Sequence, residues 1–110
     1  MASHPKREPW LLLVHQIPPK PSYFRAKVGR RLQKIGAVAI KNSVYVLPRN
    51  EQTQEDFQWA TREIIAEGGD ATLCTASLVE GLRDEQVEAL FQAARQADYA
   101  QLAEDARAAL

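Results

Sequence analysis

The spacing of apolar positions changes several times along the chain, and each change marks an element. Trp10 to Val14 is an unbroken apolar run that Ile17 extends. It predicts a strand from Trp10 to Ile17 at the centre of a sheet, covered on both faces or in contact with a partner. Pro18, Pro19 and Pro21 follow. Proline cannot donate to a strand ladder and holds its predecessor extended, so the strand stops there and a stiff connector begins. Ser22 caps a helix in which Phe24, Val28, Leu32 and Ile35 recur at spacings of four, four and three on one face, and Gly36 ends it. From Ala37 to Leu47, β-branched and aromatic residues gather on either side of Lys41, Asn42 and Ser43. This predicts two short strands about a tight reversal, the second closed by Pro48.

Asn50 to Gln54 supplies turn and capping chemistry for a second helix running to about Glu67, with Phe57, Ala60, Thr61, Ile64 and Ile65 inward. Gly68 and Gly69 terminate that helix. Ala71 to Val79 reads as a fourth strand, more polar than the first and nearer an edge. Asp84 caps a third helix with Val87, Leu90, Phe91 and Ala94 at helical spacing, continued by an Ala-rich stretch from Tyr99 to Leu110. The order β, α, β, β, α, β and a trailing helix is the split βαβ pattern. The expected fold is therefore α+β, a ferredoxin-like βαββαβ sandwich with an additional C-terminal helix. Residues 1–9 are expected to be a flexible tail, 10–98 the domain and 99–110 a helical extension. The sheet face away from the two helices needs cover from the trailing helix, a partner or solvent, and a homodimer is the usual solution. A winged-helix domain ranks second, because it wants three helices before its hairpin and only one precedes Ala37.

Composition narrows the function. A chain of 110 residues, 45% hydrophobic and 25% charged, suits one globular domain. No apolar run approaches the roughly 18 residues of a membrane span, and Met1 to Pro9 lacks the features of a signal peptide, so a cytoplasmic protein without membrane contact is expected. Cys74 is the one cysteine, and no CxxC or His/Cys cluster suggests a structural metal or any cofactor. A net charge of zero conceals a strong asymmetry. Residues 1–50 hold ten Lys or Arg against Glu8 alone, a net +9, and residues 51–110 hold four Arg against thirteen acids, a net −9. Such a division points to an anionic partner for the first half, or to neutralisation of one half by the other within a fold or a dimer.

The first helix concentrates the charge. Lys27, Arg30, Arg31 and Lys34 stand at i, i+3, i+4 and i+7 on a stripe away from the apolar face, Arg25 lies beside them, and no acid shares the helix. Lys41, at the strand reversal, could extend the patch. Phosphates, as of a nucleic acid such as DNA, are the obvious counterions for Arg25, Lys27, Arg30, Arg31, Lys34 and Lys41, with a solvated helix face or the basic half of a subunit contact as the alternatives. Trp59 faces away from Phe57, and a subunit contact or packing under the trailing helix outweighs base stacking as its reason. Tyr23 and Tyr45 read as structural. His15, in an apolar strand, reads as a satisfied structural histidine, and Cys74 has no cation or His near in sequence. With a single acid in the first half and no GxGxxG, Walker or GxSxG motif, no catalytic residue is assigned and the protein is expected not to be an enzyme.

Three separated segments, Trp10 to Pro21, Gly36 to Pro48 and Glu51 to Trp59, resemble the N-terminal domain of the bacterial chromate resistance regulator ChrB, over about residues 10 to 100. The resemblance implies a transcriptional regulator that binds the promoter of a chromate-efflux operon and releases it when chromate enters the cell. Double-stranded promoter DNA is then the partner, chromate or another oxyanion the effector, and the basic helix the DNA-contacting element. Members of the family usually continue into a second domain. More distantly, the strand, basic helix, Gly36 and Ser43-Val44-Tyr45 pattern is similar to the ferredoxin-like domain of the phenylacetate repressor PaaX and of CRISPR-associated integration nucleases. Those nucleases carry an Asp at the end of the first strand, where this chain has His15 and Gln16. The competing expectation is a protein-interaction or dimerisation module without nucleic-acid binding. An enzyme, such as a nuclease or a Cys-dependent chromate reductase, comes third.

Overall fold

The computed structural model describes residues 8–19 and 22–108. The expected tail up to Arg7, Lys20 and Pro21 of the connector, and the last two residues of the expected extension lie outside the described residues. The elements are β1 (Trp10–Gln16), α1 (Ser22–Lys34), β2 (Val38–Lys41), β3 (Val44–Pro48), α2 (Glu51–Ala66), β4 (Asp70–Ala76) and α3 (Asp84–Ala108). The strands form one sheet in the order β2-β3-β1-β4, with every neighbouring pair antiparallel. This is the α+β, ferredoxin-like arrangement that the element order predicts. The chain divides into two compact units, Met1–Ser77 and Leu78–Leu110.

In the first unit, β1 is central and pairs with β3 and β4. Leu13 lies opposite Tyr45 and Leu73, and Leu11 opposite Leu47 and Thr75, so these residues share a sheet face. Leu11, Leu13 and Leu47 are buried on that face. The other face carries Trp10 and Val46, also buried, and Val14, which is exposed. α2 packs on β1 and β4, and α1 packs beside α2. Their inner stripes, Phe24, Val28 and Leu32 on α1 and Phe57, Ala60 and Ile64 on α2, are buried at the spacing the sequence shows.

Local chemistry sets the element ends. At the C-terminus of α1, Gly36 takes φ +88°, its N–H donates to the Gln33 carbonyl at 3.0 Å, and the Ala37 N–H donates to the Leu32 carbonyl at 3.0 Å. This is the Schellman closure, which an L side chain at the positive-φ position would strain. At the start of α2, the Asn50 side chain accepts from the Thr53 N–H at 2.8 Å and Thr53 Oγ1 accepts from the Asn50 N–H at 3.0 Å, a reciprocal capping box. Gly69 leads into β4 where no side chain fits, because a Cβ there would stand 2.7 Å from the Gln16 carbonyl oxygen and 2.8 Å from an Ile64 methyl.

Several expectations are corrected in detail. Ser22 is the first helical residue of α1 rather than its cap. Ile65 is exposed, because it sits about 100° around the helix from Ile64 and off the buried stripe. β4 ends at Ala76, not Val79, since its last partner is Trp10 and the preceding Pro9 has no N–H to continue the ladder. The hairpin between β2 and β3 carries a register shift between Ala39 and Lys41.

In the second unit, α3 is one unbroken 25-residue helix that passes through residues 98 and 99 without interruption. Its N-terminus is closed one residue before Asp84: the Gln86 side-chain carbonyl accepts the Arg83 N–H at 2.9 Å, and the Gln86 and Val87 N–H groups donate to the Arg83 carbonyl. Of the expected stripe only Val87 is buried; Phe91 is half-buried, and Leu90 and Ala94 are exposed. Tyr99 and Leu102 are exposed further along.

Candidate nucleic-acid interface

α1 has two opposed surfaces. Burying Phe24, Val28 and Leu32 turns Lys27, Arg30, Arg31 and Lys34 outward, and all four are exposed. They line one side of a groove of about 320 Å³, and Glu63 of α2 lines the other. Four cations thus face one carboxylate. Among the described residues, none of Arg25, Lys27, Arg30, Arg31, Lys34 and Lys41 has a carboxylate oxygen within 4.0 Å. The contact that Arg31 makes is of another kind: its guanidinium carbon lies 3.6 Å from the centre of the Trp59 ring, a cation–π stack between α1 and α2.

The six basic residues expected to bind DNA therefore separate into a group and two outliers. Lys27, Arg30, Arg31 and Lys34 are brought together. Arg25 does not line the groove; its charge acts on His15. Lys41 is exposed at the end of β2 and is likewise not a groove residue. Glu63 joins the groove, and Trp59, four residues before it on α2 and outside the groove lining, contacts Arg31; neither is assigned to the site from the sequence. The available signal was an outward Trp on the helix that a ferredoxin-like fold sets beside a basic one.

His15 sits at the end of β1 with its ring stacked on Tyr45, centroids 5.5 Å apart and planes at 24°. Both ring nitrogens are shielded from solvent, and neither has a hydrogen-bond partner among the described residues. The expectation of a satisfied histidine is thereby corrected. Burial, reinforced by the Arg25 charge, pulls its pKa below the ordinary 6.5, which keeps the imidazole neutral at pH 7. A second depression of about 370 Å³ opens beside it, lined by Gln16, Ser43, Asp70 and Thr72 among others. The described residues contain no cluster of His, Cys, Asp or Glu that could hold a metal ion. Cys74 is exposed on β4, its thiol 3.8 Å from the Leu12 carbonyl.

The family model for the N-terminal part of Protein ChrB matches residues 25–108, from Arg25 in the basic helix to the end of α3. The chain belongs to the ChrB N-terminal family. The match to ChrB takes in every cation of the groove and reaches past the expected limit near residue 100, while β1 lies before it. A ChrB relative, Protein ChrB of Cupriavidus metallidurans, is 26% identical over 92 residues, which is 84% of this chain. The chain spans 28% of that relative's length. No solved structure matches. No helix among the described residues is long and apolar enough to cross a membrane.

Proposed function

We propose that this chain is the DNA-binding domain of a chromate-responsive transcriptional regulator, which grips the promoter of a chromate resistance operon through α1. The observation that carries the reading is the set of four exposed cations along one groove without a carboxylate in pairing range among the described residues. Like charges at i+3 and i+4 repel, and an unrelieved stripe of this kind is stabilised when an external polyanion neutralises it. Membership of the ChrB family supports the choice of DNA and of chromate, or another oxyanion, as effector. Arg25 and Lys41, outside the groove lining, add to the surrounding field. A homodimer presents two such grooves to one duplex, and the exposed Leu90, Tyr99 and Leu102 of α3 offer apolar surface for assembly.

Fluorescence anisotropy with promoter duplex at 50 mM salt tests this reading. Arg30 and Arg31 are exposed, so their reversal to Glu leaves the fold intact by circular dichroism and weakens binding by about two orders of magnitude. Undiminished binding by the double variant contradicts the assignment.

A further inference from the structure

We propose that Trp59 is a positioning residue of this interface: it seats the Arg31 guanidinium so that its edge meets a DNA phosphate, making the anion site a device of two helices. The inference rests on the DNA-binding reading.

Trp59 stands on α2 away from buried Phe57 and is 41% exposed, a large aromatic side chain left outside the core. The Arg31 guanidinium carbon sits over the ring, 3.6 Å from its centre, well inside the roughly 6 Å over which a cation senses the negative face of an aromatic ring. The five guanidinium N–H bonds point outward in the plane of the group, so stacking occupies the face of Arg31 and leaves its hydrogen-bonding edge free. No carboxylate takes that edge among the described residues. Around it, Lys27, Arg30 and Lys34 line the same groove and push Arg31 away by like-charge repulsion. The indole opposes that push with attraction to a cation, holding in one rotamer a side chain that would otherwise swing into water. A fixed fork loses less freedom on meeting a phosphate than a mobile one, and it offers two parallel hydrogen bonds. Trp59 therefore acts through Arg31. Direct stacking on a base would act independently of Arg31, and the stacked guanidinium already covers one ring face.

A double-mutant cycle with promoter duplex, read by anisotropy at 100 mM salt, separates these cases. Arg31→Gln weakens binding about tenfold and Trp59→Ala about fivefold, and the double variant binds no worse than Arg31→Gln alone. Trp59→Phe restores most of the affinity because a phenyl face still seats the guanidinium, whereas Trp59→Leu, which keeps apolar bulk without a π face, does not. Leu and Phe variants with matched thermal midpoints keep the comparison valid if the Ala variant folds poorly. Full affinity in Trp59→Leu, or losses that multiply in the double variant, overturns the positioning role. If Arg31→Gln weakens binding and the Trp59 variants do not, the DNA reading stands and the positioning role alone falls. If the folded wild-type chain fails to bind duplex at all, both fall.

Discussion

Phe57 has no solvent-accessible surface, and Phe24, from the neighbouring helix, has almost none. Truncating either to Ala removes a packed aromatic side chain from the core between the sheet and its helices, and a loss of ~3–5 kcal/mol is expected in urea denaturation. A loss below ~1 kcal/mol at Phe57 would mean that the site collapses around the smaller side chain. His15 makes a prediction of a different kind. Its pKa in the folded chain lies below 6.5, so the unfolded chain binds more protons between the folded-state pKa and 6.5. The neutral ring therefore contributes its full stability above pH 6.5, and that contribution is lost as pH falls through the folded-state pKa. Replacing His15 by Phe, which keeps a ring against Tyr45 without a titrating nitrogen, flattens the fall in urea midpoint between pH 7 and 5. An equally steep fall in the variant would place the proton uptake elsewhere.

Among the elements, the entry to β4 is fixed by the absence of a side chain at Gly69. Gly69→Ala forces a methyl into the Gln16 carbonyl and the Ile64 side chain, both closer than van der Waals contact permits, and lowers stability by ~1–3 kcal/mol in the same denaturation assay. The groove between α1 and α2 supplies a test with the opposite sign. Glu63 faces four cations without pairing to any of them, so Glu63→Gln removes the one repulsive charge from the path of a phosphate and tightens DNA binding about two- to threefold. Weaker binding would show that Glu63 organises the cations rather than opposing the ligand. These elements were legible because helix periods, capping residues and terminal glycines are local chemistry: Asn50, Gly36 and the Phe24/Val28/Leu32 stripe do what neighbouring residues require. What escaped sequence reasoning depends on contacts distant in the chain. β4 stops where Pro9 ends its partner strand, Arg31 finds Trp59 across two helices, and His15 loses its partners to burial against Tyr45. The basic stripe itself was visible; Glu63 across the groove and Trp59 against Arg31 belong to tertiary structure.

At the scale of the whole molecule, the division of charge into a basic first half and an acidic second half has a structural counterpart in part. Four of the five cations of α1 gather along one groove, while most of the acids lie on α2 and α3. The ChrB N-terminal family match runs from the basic helix to the end of α3 and so takes in both the cations and most of these acids. If the stripe serves a polyanion, its strength depends on released counterions rather than on hydrogen bonds alone. About five neutralised phosphates give a slope of log K against log[salt] of roughly −4 to −5, and each groove cation removed makes it shallower by about 1. Measuring that slope with promoter duplex between 50 and 200 mM salt, for the wild type and for Lys27→Gln and Arg30→Gln, tests the central claim most directly. The account predicts a steep slope that becomes shallower in step with each substitution; a flat slope, or a steep one that both substitutions leave unchanged, would contradict it.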